Sequence, residues 1–235
     1  MNPQSSLHLI PNVLAEKAIH ALPSYLVEVV NSLRVFYVEE IKSARRLLRS
    51  LNKEFDIDAC QFFILNEHHE EDLSKAISFF KQGISIGLIS EAGCPNVADP
   101  GQNLVEFAHQ HHVKIIPHIG PNSILMTLMA SGFNGQHFQF HGYLPNKQPM
   151  LGQKIKDIET ESRQKNCTQL FIETPYRNDQ LLQELIRACH PETRLCIAAN
   201  LTGENEIIIS QSLKKWKNAS HSFHKQAAVF ALYAH

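Results

Sequence analysis

The stretch SEAGCPNVADPG, Ser90–Gly101, decides how the first half of the chain is interpreted. It follows ISIGLIS, an apolar run typical of a buried strand, and precedes QNLVEFAHQHH, which has helical spacing. In open α/β sheets, ligands bind outside the carboxyl ends of the strands, where such loops lie. The stretch therefore predicts a ligand-binding loop, and a purely structural turn is the alternative.

The composition of this loop suits a rigid binding site. Gly93 has no side chain, so a ligand can approach its backbone closely. Pro95 and Pro100 stiffen the loop, and Glu91 and Asp99 offer carboxylates to an amine or to ribose hydroxyls. The loop matches neither GxGxxG nor GxxxxGK[ST], which argues against a dinucleotide or triphosphate site.

Strands and helices alternate along the first half of the chain. Apolar runs predict strands at 7–10, 35–38, 61–65, 84–89 and 114–117. Helical spacing predicts helices at 23–32, 42–51, 72–82 and 103–110. This alternation is typical of a mostly parallel sheet covered on both faces.

The second half is less regular. A strand followed by a turn is predicted at 139–145, and strands are predicted at 169–173, 195–198, 206–210 and 228–233. Helices are predicted at 124–130, 151–163 and 179–189. Because the late strands lack long crossovers, we expect a mixed sheet. The sequence thus predicts two α/β domains, 1–118 and 119–235.

Composition narrows the class of protein. The chain has 235 residues, with 22 basic and 23 acidic side chains, so any nucleic-acid contact must be a local patch. Five cysteines without a CxxC pair favour reduced thiols and a cytoplasmic location. We find no pattern of a signal peptide or a membrane span, and expect no membrane partner.

Three groups of side chains are candidates for chemistry, each with a structural alternative. A basic face can contact phosphate or be the solvated side of a helix; it comprises Lys42, Arg45, Arg46, Arg49 and Lys53. The runs HQHH at 109–112 and NEHHEED at 66–72 lack the spacing of a zinc helix, so we predict no metal site. Cys94 is a possible nucleophile if a helix N-terminus lowers its pKa, or else a small lining residue.

The order of short motifs resembles that of the tetrapyrrole-methylase-like (class III) S-adenosylmethionine-dependent methyltransferases. Within them it is most similar to the bacterial branch that includes the small-subunit ribosomal RNA cytidine 2′-O-methyltransferases. The matching pieces are VEE (38–40), NE (66–67), LISEAGCPNVADPG (88–101), GPNS (120–123), ASGF (130–133), FHGYLPNK (140–147), IETPYR (172–177) and LT (201–202).

The resemblance implies a homodimer of two-domain subunits that hold the methyl donor, S-adenosylmethionine, in a cleft. It implies that donor-lining residues of the loop after the fourth strand are Ala92, Gly93, Cys94, Val97 and Asp99. Further donor-lining residues would be Asn122 and Ser123, with Ile172, Leu201 and Ala228 covering the donor from the second domain.

Several charged positions depart from the pattern of this branch. An Arg-Glu-Leu-Thr-Lys segment becomes Ala199, Asn200, Leu201, Thr202 and Gly203, and IPNVLAEK (10–17) lacks the usual glycine. Three functions therefore stay open: methylation of RNA at a ribose 2′-hydroxyl, methylation of a small molecule, and donor binding without catalysis.

Methyl transfer depends mainly on positioning the donor carbon and the acceptor atom. A ribose hydroxyl must also lose a proton, which a general base would accept. Glu173 with Arg177 is the first candidate for this polar work, and Glu39 and Glu40 are others. Each of these side chains can instead form a structural ion pair.

Overall fold

The structure is a computed structural model that describes residues 5–65 and 70–235. Contacts among its residues divide the chain into two compact units, Met1–Asn122 and Ser123–His235. One unit carries a parallel five-stranded sheet and the other a mixed five-stranded sheet, so the predicted α/β fold class is confirmed. The bounds of the two domains, 1–118 and 119–235, stay a prediction.

The first unit is built on strands in the order β3-β2-β4-β1-β5, all parallel. The strands are β1 (Ser6–Ile10), β2 (Val35–Val38), β3 (Gln61–Ile64), β4 (Ile86–Ile89) and β5 (Lys114–Pro117). The helices are α1 (Leu26–Asn31), α2 (Ile41–Leu51), α3 (Glu70–Lys81) and α4 (Gln102–Gln110). A 3-10 turn at Ile19–Ala21, which the sequence did not indicate, precedes α1.

Both faces of this sheet are buried. In β2, Phe36 and Val38 pack with α1 and α2, whereas Val35 and Tyr37 pack with α3 and α4. All four residues are hydrophobic and buried, as expected of a strand that is covered on both faces.

The strand order creates a switch point between β2 and β4. β2 leads outward to β3 through α2 on one face, and β4 leads to β5 through α4 on the other. Neighbouring strands whose connections diverge in this way leave a crevice at their carboxyl ends. Ser90–Gly101 is the connection that leaves β4 at this point.

The second unit orders its strands β6-β7-β10-β8-β9, with β6 and β7 parallel and the other pairs antiparallel. The strands are β6 (Phe138–Tyr143), β7 (Thr168–Ile172), β8 (Arg194–Ala199), β9 (Ile207–Ser212) and β10 (Ala228–Tyr233). The helices are α5 (Ser123–Ser131), α6 (Met150–Lys165), α7 (Asn178–Ala188) and α8 (Leu213–Trp216). Helix α5 covers one face of this sheet, and α6 and α7 cover the other.

Candidate functional site

Three acidic residues, Glu39, Glu91 and Asp99, lie close together where the loop after β4 passes the end of β2. Glu39 directly follows β2, and its carboxylate accepts a hydrogen bond from the Glu91 backbone N–H at 2.8 Å. The Glu39 backbone N–H in turn donates to the Ile89 carbonyl at 3.1 Å. The switch point is therefore held together by backbone as well as side-chain bonds.

Among these three acids, Asp99 has the most strongly shifted pKa. Burial, the nearby charge of Glu39 and then that of Glu91 raise its pKa from 3.8 to about 6, while a bond from Ser90 acts in the opposite direction. A carboxyl group with such a pKa exchanges its proton near neutral pH. Strongly perturbed acids at a strand-end loop are typical of functional sites.

Gly93 has a backbone conformation that favours glycine, with φ of +70°. A Cβ at Gly93 would lie 3.2 Å from Leu14 Cδ2 and 3.6 Å from the Pro121 carbonyl oxygen. The side-chain position of Gly93 therefore faces the protein's own loops, and close approach of a ligand to its backbone stays a prediction.

Cys94 behaves as a lining residue rather than as an activated thiol. Burial, as the largest effect, raises the pKa of its thiol above the usual value. The thiol donates towards the Pro121 carbonyl at 3.5 Å. The lowered pKa that a nucleophile would need is therefore contradicted, since the thiolate is the reactive form.

The rest of the loop has an unusual backbone. Asn96 and Ala98 have φ of 66° and 63°, values uncommon for residues with a side chain. Ala92 and Val97 are exposed, whereas Pro95 is buried. Conformations of this kind are held by their surroundings and concentrate at ligand-binding segments.

Three of the predicted donor residues of the second unit lie at the same end of its three central strands. Ile172 ends β7 and Ala228 begins β10, which runs antiparallel beside it. Leu201 is buried in the turn after β8, whose last residue, Ala199, pairs with Ala228. Ser123 begins α5, and Asn122 closes the first unit. The structure thus groups Ile172, Leu201 and Ala228.

The turn after β8, where the sequence departs from its branch, is built by the protein's own polar groups. Asn200 has φ 52° and Thr202 has φ 68°. The Asn200 amide donates to the Gln226 side-chain oxygen at 3.0 Å, and the Glu206 carboxylate accepts from the Thr202 N–H at 2.7 Å. The departures therefore accompany an ordered turn.

Two of the proposed acids have structural partners. The Glu173 carboxylate is buried and lies 3.1 Å from the Arg177 guanidinium, so the ion-pair alternative is present. The exposed Glu40 side chain accepts from the Lys42 and Ser43 backbone N–H groups, which lower its pKa. Glu40 is thus the N-cap of α2.

The remaining candidates are the basic face of α2 and the two histidine-rich runs. On α2, Lys42, Arg45, Arg46 and Arg49 are exposed, and Lys53 lies beyond the helix end. The described residues contain no cluster of three or more potential metal ligands. Most of the NEHHEED run lies outside those residues.

Asn12 is a residue that the sequence did not single out. It follows β1 and is buried, with 3% of its surface exposed. Its backbone pairs with Gly93, and its side chain reaches Ser90 and Glu91. The one signal in the sequence was an asparagine directly after a predicted strand and a proline, a position where its side chain often bonds nearby backbone.

Known proteins resemble this chain in sequence. No family model matches it. A "Ribosomal RNA small subunit methyltransferase I" of Vibrio cholerae serotype O1 is 29% identical over 86% of the chain and 67% of that relative. One of Haemophilus influenzae is 30% identical over 65% of the chain and 53% of its own length. The chain is similar in sequence to these methyltransferases.

Solved structures share the fold of this chain. The methyltransferase CobJ superposes with a TM-score of 0.62 over 98% of this chain and all of its own, at 14% identity. A uroporphyrin-III C-methyltransferase from Thermus thermophilus, complexed with S-adenosyl homocysteine, gives 0.57 at 15% identity, over 97% of each chain. The predicted resemblance is confirmed at two levels: the sequence is similar to small-subunit ribosomal RNA methyltransferases, and the fold is shared with solved methyltransferases of tetrapyrrole type.

The chain spans about half of the Haemophilus protein and two thirds of the Vibrio protein. Among the residues that the structure describes, no helix has the length and apolar character needed to cross a bilayer.

Proposed function

We propose that the chain is an S-adenosylmethionine-dependent methyltransferase whose acceptor is a ribose 2′-hydroxyl of RNA. The relatives' shared name confirms the predicted enzyme class, a methyltransferase. A structural neighbour solved with S-adenosyl homocysteine supports the predicted donor. The observation that carries the proposal is the ordered loop after β4, built at a switch point in a homologue of ribosomal RNA methyltransferases.

The donor would bind the residues predicted from the sequence. In the first unit these are Ala92, Gly93, Cys94, Val97, Asp99 and Asn122; in the second they are Ser123, Ile172, Leu201 and Ala228. Gly93 and its neighbours offer a fixed backbone, and Asp99 offers a carboxyl group. A fixed loop binds its ligand without the entropic cost of becoming ordered.

Methyl transfer depends on orienting the donor and the acceptor, and it needs no covalent intermediate with the protein. S-adenosylmethionine supplies an electrophilic methyl group, and a loop that holds it in line with the acceptor oxygen supplies much of the acceleration. Glu173 and Glu39 stay the proposed groups for polar work on the acceptor. Glu40 also has a structural role, because its carboxylate is bonded to the first turn of α2.

Isothermal titration with S-adenosylmethionine and S-adenosyl homocysteine tests the proposal. We expect one site per chain for each ligand, with saturation below millimolar concentration. A flat titration for both ligands at millimolar concentration would overturn the proposed function.

A small-molecule acceptor is the second candidate. It is favoured by the fold, which the chain shares with uroporphyrin-III methyltransferases. Donor binding without catalysis is a third reading, motivated by Ala199, Asn200 and Gly203 in place of charged residues. Turnover with RNA or a small molecule separates these three functions.

We further propose that the chain acts in the cytoplasm, as its cysteine content suggests, and that it forms a homodimer, as the resemblance implies. The exposed apolar side chains of Leu125 and Met129 lie one turn apart on α5, where a contact between two subunits would cover them. Light scattering of the purified chain should give twice the mass of 26.7 kDa; a monomer mass would contradict this.

A further inference from the structure

The side chain of Asn12 forms hydrogen bonds with the loop after β4 and with the backbone of the next residue, Val13. The Nδ2 group donates to the Glu91 carbonyl at 2.8 Å and to the Ser90 carbonyl at 3.1 Å. The Oδ1 atom accepts from the Val13 N–H at 2.8 Å. A carboxamide has two N–H donors, so both are satisfied here.

The backbone of Asn12 adds a second connection to the same loop. The Asn12 N–H donates to the Gly93 carbonyl at 2.8 Å, and the Gly93 N–H donates to the Asn12 carbonyl at 3.2 Å. Four hydrogen bonds thus join a single buried residue to the segment Ser90–Gly93.

The loop after β5 closes this junction from the other side. A Cβ on Gly120 would lie 2.1 Å from Pro11 Cβ, so glycine lets the two loops touch. The Cys94 thiol donates towards the Pro121 carbonyl at 3.5 Å. The loops after β1, β4 and β5 therefore hold one another, and Asn12 lies among them.

We propose that Asn12 is a positioning residue that fixes the conformation of the loop after β4 for donor binding. This inference rests on the proposed function. The role requires an amide: an aspartate of the same shape would face the Ser90 and Glu91 carbonyls with oxygen atoms. An alanine would leave both carbonyls without their donor, and an unpaired buried polar group is costly.

Titration of S-adenosyl homocysteine into Asn12→Asp, Asn12→Ala and the wild type tests the role. At pH 8.5 we expect both variants to bind at least tenfold more weakly. At pH 5.5 the introduced carboxyl group, once protonated, can donate one of the two lost hydrogen bonds, so Asn12→Asp should recover part of its affinity relative to the wild type at that pH, and Asn12→Ala should not. The exposed Asn218→Asp change, in the other unit, is the matched control and should bind like the wild type. Equal affinities for all four proteins would overturn the inference.

Amide hydrogen exchange without ligand keeps the inference testable if no donor binds or if Asn12→Asp does not fold. In Asn12→Ala, exchange at residues 91–99 should accelerate at least tenfold, while the strands β1 and β4 stay protected. Unchanged exchange in this loop, or acceleration spread evenly over the first unit, would contradict a positioning role. Absence of donor binding in the wild type would instead overturn the proposed function alone.

Discussion

At Asp99 the protein keeps a carboxyl group where burial and the charges of Glu39 and Glu91 oppose ionisation. A raised pKa stabilises the folded state while the group is protonated, and this contribution is lost as the pH rises through about 6. Asp99→Asn should therefore raise the free energy of unfolding at pH 8 by about 1 kcal/mol, a value reduced for solvent screening. At pH 4 the gain should vanish.

Urea unfolding followed by circular dichroism at both pH values checks the Asp99 prediction. The partly buried Asp99 is compared with Asp58, which is exposed, so Asp58→Asn is the control. An equal gain at pH 4 and pH 8 would mean that charge at Asp99 is not the cause.

His8 and His118 form a second titrating pair. The Nδ1 atom of His8 lies 3.0 Å from Nε2 of His118, and the rings are stacked. Burial lowers the pKa of both imidazoles, and His118 lowers that of His8 further. A lowered histidine pKa means that stability is present above about pH 6.5, the unfolded value, and is lost as the pH falls.

Acid should therefore destabilise the first unit through this pair. We expect His8→Gln to reduce the loss of unfolding free energy between pH 7 and pH 5, and the exposed His20→Gln to leave it unchanged. Urea titrations at a series of pH values measure this loss. The same slope in His8→Gln and the wild type would refute the assignment.

Individual residues were the least predictable part of the site. Asn12 contacts residues 78 and 79 positions away, and a single sequence contains no signal for such a pairing. The motif order predicted Gly93 and Cys94 as loop residues, but their neighbours Leu14 and Pro121 follow only from how the loops pack.

Among the elements, α2 offers a direct test of a structural acid. The Glu40 side chain caps the first turn of this helix, and removing an N-cap destabilises a helix. Glu40→Ala should lower the unfolding free energy, whereas Glu40→Asp, which can also cap, should retain most of it. Urea unfolding measures both variants. If Glu40→Ala is as stable as the wild type, the cap has no role in stability.

The basic face of α2 is tested by RNA binding. Arg45, Arg46 and Arg49 are exposed, although Arg46 lies 3.5 Å from Glu16 and Arg45 lies over the Phe62 ring. If these residues contact phosphate, changing all three to Gln should weaken RNA binding and lower its dependence on salt concentration. Filter binding at several salt concentrations measures both. Unchanged affinity and slope would make the face an ordinary solvated surface.

Element boundaries show what periodicity can and cannot predict. Strand β10 begins and ends at the predicted residues, because Ala228–Tyr233 is an uninterrupted apolar run at the centre of the sheet. Strand β4 begins at Ile86 rather than Ile84. Gly83, just before it, has φ of 78°, and the Ile84 N–H donates a hydrogen bond to the Phe79 carbonyl. Ile84 therefore belongs to the C-terminal cap of α3 rather than to the strand. The four-residue helix α8 is too short for a periodic signal.

For the whole molecule, alternation of strands and helices predicted the parallel sheet, and loss of that alternation predicted the mixed sheet. Strand order could not be predicted in this way, because β4 inserts between β2 and β1, and β10 between β7 and β8. That order creates the switch point beside Glu39 and the edge that groups Ile172 with Ala228.

The central claim is methyl transfer from S-adenosylmethionine to RNA. The most direct measurement incubates the purified chain with methyl-labelled S-adenosylmethionine and bacterial small-subunit ribosomal RNA, with a protein-free and RNA-free small-molecule extract as the parallel acceptor. We predict label in RNA, resistant to alkali at the modified linkage because a methylated 2′-oxygen cannot attack the phosphate. Label in the small-molecule fraction alone, or in neither fraction although the donor binds, would contradict the claim.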